Sequence, residues 1–416
     1  MKYDLIVVGG GPGGLMAAKT AAEDGLKVLL IERKKNITEI NRSCSQIFYL
    51  NKKHPVTGRP REDGYIEPVS VECEANKTRF HFPAVGFSLD YSGCLRPYLN
   101  WIHLSPSGYR IYRYEVNERP WGFYFHKEAF LADLLASVEK AGAEVWPETM
   151  GLGAENTKDG VKVQVRAKSG EQTPEARVAI AADGVTSKIV DSLGLNEKRQ
   201  VLFSGGEGSV QYVMEGVDTG LPSSSWLTWT IPSLNPRGNI FIGLSAENRH
   251  TLSAPAAVIG KFMNDPSYAH MFRHARVVKK ETVVYSRMLT PIREPVDGNV
   301  VIVGDAGAPI ETWIQGAVAC GYQAVKAIEK ELNGEKGYAE YITWWQQAFA
   351  FNTPEYIRTL GGIYPLQKIC SDEDIDYLYS LLQDKIGSPA MLVNSNLELI
   401  KEGRPELYEK LTGGRL

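Results

Sequence analysis

Three short stretches carry residue types that could do chemistry. They are Gly9-Gly10-Gly11-Pro12-Gly13-Gly14 with Glu32 downstream, Asp183-Gly184, and Gly304-Asp305-Ala306. The first has G-x-G-x-x-G spacing, in which Gly9 permits a tight turn, Gly11 lets backbone approach a pyrophosphate, and Gly14 lets a helix pack close on a strand. The unpaired N–H groups of the helix that follows would meet phosphate oxygens with a partial positive charge. A carboxylate at Glu32 would accept hydrogen bonds from ribose hydroxyls. That chemistry is the binding of a dinucleotide, and the turn alone does not decide between FAD and NAD(P).

The elements around the turn suit that role. Tyr3–Val8 reads as a buried strand, Leu15–Glu23 as a helix closed by Gly25, and Lys27–Ile31 as a second buried strand. Arg33-Lys34-Lys35-Asn36 is a solvated turn. From there to about residue 120 the pattern alternates, as in Thr78–Phe82 and Gly108–Tyr114, and predicts antiparallel strands. A helix is expected over His126–Ala141 and a strand over Ala143–Trp146. A hairpin should span Gly151–Val178, leading into the buried strand that ends in Asp183-Gly184. A second alternating block runs from Val201 to Leu289. The chain then returns through the apolar run Asn299–Val303 to Gly304-Asp305, a loop, and a helix expected to open at Gly316. From Gly334 onward the pattern is helical and amphipathic.

With 416 residues the chain can form two or three domains, and a net charge of −3 argues against nucleic acid as the main partner. No run of eighteen apolar residues predicts a membrane-spanning helix, and the apolar N-terminus lacks the form of a signal peptide. A cytoplasmic protein is expected, with peripheral membrane contact left open. Cys44, Cys73, Cys94, Cys320 and Cys370 are scattered, so no zinc site, disulfide framework or iron–sulfur cluster is expected. His81 and His126 read as structural. Gly205-Gly206-Glu207-Gly208 has no strand–helix context, so no separate NAD(P)H domain is expected.

Three strand ends of this kind, in this order and interrupted by alternating inserts, resemble the FAD-binding domain of the p-hydroxybenzoate hydroxylase-like superfamily over residues 1–330. The resemblance implies an α/β fold: a Rossmann-like FAD-binding domain with a mostly parallel sheet, an inserted antiparallel β substrate domain, and a helical C-terminal tail. The FAD-binding domain would comprise residues 1–75, 120–195 and 290–333, the substrate domain 76–119 and 196–289, and the tail 334–416. By the same resemblance Asp305 would bind the ribityl chain, and Asp183 and Gly184 would lie near the cofactor where a nicotinamide approaches.

Within the superfamily the chain looks most like the geranylgeranyl reductase family. Cys44 follows Arg42 soon after the second strand, Lys127-Glu128-Ala129-Phe130 stands for an Arg-x-x-Phe motif, and Trp229-Thr230-Ile231-Pro232 for a Tyr/Trp-x-Phe-Pro motif. Asn239–Leu244 is a stretched form of a further Asn-Val-Gly-Leu-Gly motif. Ser45 replaces the usual glycine after the cysteine, and the loop Pro309–Gly316 contains Glu311 and Trp313, whereas the family's loop usually contains a proline and two glycines. Residues of that loop should lie against the flavin ring.

Residue reading and resemblance together assign cofactor binding to Gly9, Gly11, Pro12, Gly14, Glu32, Arg33, Arg42, Lys127, Asp183, Gly184, Gly304, Asp305, Gln315 and Gly316. Tyr212, Trp226, Trp229, Phe241 and Trp313 are the candidate substrate-lining residues, and Cys44 is the candidate proton donor or redox partner. The activity implied is hydride transfer between flavin N5 and a small apolar substrate, such as reduction of an isoprenoid C=C bond. NAD(P)H or an electron-donor protein would serve as external reductant, and the helix beginning at Gly316 would stabilise charge on the reduced ring. Two other readings share the fold. One is a flavin monooxygenase or halogenase acting on an aromatic substrate, whose Trp-x-Trp-x-Ile-Pro signature is partly matched at Trp229–Pro232. The other is an electron-transfer flavoprotein-type dehydrogenase working with a protein partner.

Overall fold

The computed structural model describes residues 2–50, 70–74, 77–114, 120–204, 209–244, 247–282, 287–308, 312–352 and 366–413. Tyr3–Val8 forms β1, Pro12–Glu23 α1 and Val28–Ile31 β2. β1 lies between β2 and the strand Glu175–Ala181, which is followed by Val300–Ile302; β2 pairs outward with Glu144–Trp146. All of these pairings are parallel. Their near-continuous apolar sequences are those of strands buried on both faces.

One face carries α1, the helix Lys127–Lys140 and the helix Trp313–Leu332. The other is covered by Met150–Asn156, Val161–Ala167 and the short helix Lys188–Ser192. α1 and Trp313–Leu332 approach through small residues: a Cβ on Gly321 would stand 2.2 Å from the Gly13 carbonyl oxygen. Gly13 and Gly321 thus set the separation of the two helices that open beside the strand ends.

The alternating stretches of residues 76–119 are distributed over three sheets rather than one. Lys77–Phe82 and Phe87–Tyr91 pair with Ser70–Glu74, and Phe80, Phe82 and Tyr91 pack with Phe48, Phe125 and Phe130 into the first domain's core. Leu95–Tyr98 joins Gly122–Phe125 and Ile47–Tyr49. Asn100–Leu104 and Arg110–Arg113 complete a seven-stranded sheet with strands from residues 209–282. That sheet is not wholly antiparallel, because Ser225–Trp229 runs parallel to Asn100–Leu104. The helix Ala256–Asn264 covers its outer face, where Val258, Ile259 and Phe262 are buried. The C-terminal helices form their own core around Ile375, Leu378 and Leu382, tied to the large sheet by Tyr379 Oη and Thr230 Oγ1 at 2.9 Å. Among the described residues no helix is long and apolar enough to cross a membrane.

The tight contact between α1 and Trp313–Leu332 makes Gly321→Val strongly destabilising. The added bulk meets backbone that cannot yield, and a loss of about 3 kcal/mol is expected. Urea unfolding of the variant reads it, and an unchanged midpoint would show that the helices are not in close contact.

Candidate functional site

Register creates the site. Val8 pairs with Ile31 on one side and Ala181 on the other, and Ala181 pairs with Ile302. The pairing continues one residue further, with Gly9 N donating to Ile31 O, Ala182 N to Val8 O and Val303 N to Ala181 O. Four carboxyl ends therefore stand in one row about three strand spacings long, roughly 14 Å. The segments that leave them, starting at Gly9, Glu32, Asp183 and Gly304, border a cavity of about 510 Å³.

At the glycine turn Gly9 has φ +109°, and a Cβ there would stand 2.3 Å from the Ala182 carbonyl oxygen. A Cβ on Gly14 would lie 1.8 Å from the Gly9 carbonyl oxygen, so Gly14 serves packing and does not itself line the cavity. Gly11, by contrast, has nothing within 4 Å of where a side chain would begin. It is the N-cap of α1 and faces open space, with Pro12 at the first helical position. Helix-end N–H groups beside a bare cradle are what a pyrophosphate requires.

Glu32 is buried, with its carboxylate accepting from Gly10 N at 2.7 Å and Lys34 N at 2.9 Å. Its side chain is thereby aimed along the turn. Arg33, Lys34, Arg42 and Lys127 also line the cavity. Lys34 was not singled out from sequence; burial lowers its pKa, and its ammonium is held by the carbonyls of Ile37 and Glu39. A surplus of cations near the turn favours phosphate.

At the far end of the row Asp305 accepts from Thr312 N at 2.8 Å and Thr312 Oγ1 at 3.0 Å, and Arg42 Nη1 lies 3.5 Å from its other oxygen. Asp183 lines the cavity, but its carboxylate is engaged by Ser187 Oγ at 2.5 Å and Lys188 N at 2.8 Å. Burial raises its pKa, against those hydrogen bonds. It organises the turn into the helix Lys188–Ser192, and Gly184 beside it has φ +82°.

Cys44 lines the cavity as a free thiol. Its loop is held both by the large sheet and by the helix Lys127–Lys140. Ser43 N donates to Thr282 O, Gln211 Nε2 to the Cys44 carbonyl at 3.3 Å, and Lys127 N to Gln46 Oε1 at 2.9 Å. Gln211 in turn bonds Glu281 Oε2 at 2.9 Å. Tyr49, also missed from sequence, lines the cavity with its ring 4.8 Å from that of Trp313. Gln46 and Trp313 both have positive φ, +51° and +57°. Two non-glycine residues in that region at one site carry a strain of about 1–2 kcal/mol each.

Several expected positions differ. The helix opens at Trp313, not at Gly316. Gln315 is turned away from the cavity: its amide meets the Tyr49 backbone, with Tyr49 N to Oε1 at 3.3 Å. Gly316 lies against Phe349, where a Cβ would be 3.0 Å from the ring. Residues 309–311, including Glu311, are outside those described. None of Tyr212, Trp226, Trp229 and Phe241 lines this cavity, and strand alternation divides them. Tyr212 and Trp229 belong to the outer core under Ala256–Asn264, whereas Trp226 and Phe241 share the opposite face, their rings 6.2 Å apart. That second face carries Gln211 and therefore looks toward Cys44.

A model of the FAD-dependent oxidoreductases matches residues 4–37. A digeranylgeranylglycerophospholipid reductase of Methanocella arvoryzae is 28% identical over 325 residues, which cover 74% of this chain and 71% of that protein. A geranylgeranyl bacteriochlorophyll reductase-like protein of Thermoplasma acidophilum superposes with a TM-score of 0.68 at 20% identity, covering 99% of this chain and 98% of that one. The p-nitrophenol 4-monooxygenase of Pseudomonas putida gives a TM-score of 0.63 at 13% identity over 100% of this chain and 99% of that one. Glycine turn, strand-end row and these likenesses define an FAD-dependent oxidoreductase. Among these enzymes, the chain is similar in sequence to digeranylgeranylglycerophospholipid reductases and shares its fold with a geranylgeranyl bacteriochlorophyll reductase-like protein.

The contrast between the turn glycines gives a test. Gly11→Val should fold with an unchanged melting temperature yet bind FAD at least about tenfold more weakly, because its side chain enters the space beside the N–H groups that would donate to phosphate. Gly9→Val should fail to give folded protein. Equilibrium dialysis with FAD and thermal melts distinguish the two, and full FAD affinity in Gly11→Val would remove the pyrophosphate from this turn.

Proposed function

We propose that the chain holds FAD along the row of strand ends and uses it to reduce C=C bonds in an apolar, isoprenoid-class chain. The observation that carries the reading is the alignment of the Gly9 turn, Glu32 and Asp305 on one cavity with Arg42 and Cys44 between them. The names of the relatives support the substrate class. FAD supplies the hydride, and NAD(P)H or a reduced protein supplies the electrons from outside.

The chain's own residues do the rest. The N–H groups at Gly11 and the start of α1 hold phosphates, and Glu32 accepts from ribose hydroxyls. Asp305, oriented by Thr312, accepts from the ribityl chain, with Arg42 Nη1 3.5 Å from its other oxygen. Tyr49 and Trp313 wall the ring end and exclude water from it. Saturating a double bond needs a proton as well as a hydride. Cys44 lines the cavity with its backbone carbonyl held by Gln211, so its thiol can carry that proton. The face bearing Trp226 and Phe241 offers the apolar chain its surface.

Anaerobic single turnover tests the reading. Protein reduced with dithionite and given a geranylgeranyl lipid should yield product heavier by two hydrogens per bond reduced, and Cys44→Ser should slow that step about a hundredfold while leaving FAD bound. Turnover that requires O₂ and an aromatic substrate would replace this reading with the monooxygenase one. An unchanged rate in Cys44→Ser would move the proton to another group.

A further inference from the structure

A second group of polar side chains lies on the same sheet face as Gln211, at its opposite edge. Directly opposed residues share a face, and register places Arg113 beside Trp101, Trp101 beside Trp226, and His103 beside Thr228, then Phe241, Ser253 and Gln211. Arg113 is 3% exposed, with its guanidinium 4.7 Å from the Trp101 ring and 5.1 Å from the Trp121 ring. Among the described residues no carboxylate pairs with it, and its Nη1 is buried without a hydrogen-bond partner. Nε2 of buried His103, whose ring stacks on Trp101 at 5.1 Å, and Nε1 of buried Trp121 are likewise without partners.

A buried guanidinium with no counter-charge is costly, and two ring faces return only part of that cost. Burial pushes its pKa down to about 10, which still leaves it cationic at neutral pH. An apolar side chain would serve the fold better at this position, so the fold does not account for the charge. Nor does the FAD cradle, whose lining does not include Arg113. Between Arg113 and Gln211, which touches the Cys44 carbonyl, lie five strand spacings, roughly 24 Å. Half-buried Trp101, Trp226 and Phe241 occupy that interval, the two indoles packed on one side against the cluster of Ile47, Tyr98, Trp121 and Tyr124. A cation at one end of an apolar floor and a thiol near the other suit a long amphiphile.

We propose that Arg113, with Trp121 Nε1 and His103 Nε2 beside it, binds the anionic head group, carboxylate or phosphate, of a substrate whose apolar chain runs over Trp101, Trp226 and Phe241 toward Cys44. This rests on the apolar-chain reading of the function. The head group sets register: it fixes which carbon of the chain reaches the reacting end.

The test is calorimetric titration of FAD-loaded protein with dodecyl phosphate, dodecanoate and dodecanol, for the parent, Arg113→Met and Arg113→Lys, with thermal melts of each. The parent should bind at least one anionic chain about tenfold or more tightly than the alcohol. Arg113→Met should lose that preference while melting at or above the parent temperature, and Arg113→Lys should regain part of it. Whichever anion binds tighter identifies the head group. Equal affinity of the parent for all three chains, or a preference that survives in Arg113→Met, overturns the proposal. If no chain binds but inorganic phosphate gives heat with the parent and none with Arg113→Met, the anion subsite stands and the apolar-chain reading falls. Absence of heat from phosphate as well would overturn the subsite.

Discussion

Val8, Ile31, Ala181 and Ile302 are consecutive partners across parallel strands, and the site depends on that register. A slip of one residue in any pair would turn that strand's buried side chains to the wrong face. It would also lift one of the Gly9, Glu32, Asp183 or Gly304 segments out of the row. Register is enforced from both faces: Leu5 and Val7 enter the core with α1, and Ile6 and Val8 enter the core with the hairpin strands. The contacts that stabilise the domain and the geometry that positions the cofactor residues are therefore the same contacts.

The large sheet meets the site through the Cys44 loop without sharing that core. Its strands carry Tyr212 and Trp229 into an outer cluster, and Gln211, Trp226 and Phe241 toward the cradle. The Cys44 loop joins the two parts, held by Thr282 and Gln211 from one and by Lys127 from the other. Strained backbone at Gln46 and Trp313 sits where these layers meet. Such strain persists only where the surroundings over-determine the conformation.

Much of the cradle was legible in sequence because its signals are local. A glycine turn between apolar strand and helix, an acidic residue ending β2, and a Gly-Asp after an apolar run each declare themselves within a few residues. What was missed depends on partners distant in the chain. Alternation marks Tyr212 and Trp226 as strand residues, but not which face is covered by Ala256–Asn264. The start of the last long helix was misplaced because Trp313 opens it with a positive φ that its residue type does not suggest. Gln315 reads as free for the cofactor, but the Tyr49 backbone, far away in sequence, occupies its amide. Arg113 read as one charge in an alternating run, and only the pairing of Arg110–Arg113 with Asn100–Leu104 shows that it is buried between two indoles.

The strand order also has a temporal side. Val8 and Ile302 bracket nearly three quarters of the chain, yet the inner strands need each other to complete one sheet. A ribosome making this protein must release the segment through Ile302 before the Asp305 end of the cradle exists, however early the glycine turn emerges. Until then Ala179–Ala181 presents an apolar edge without its Val300–Ile302 neighbour, a state that invites misassociation or chaperone capture. Completion of the cradle is thus confined to the closing stage of synthesis, and a fragment ending before Val300 would leave a sheet edge open.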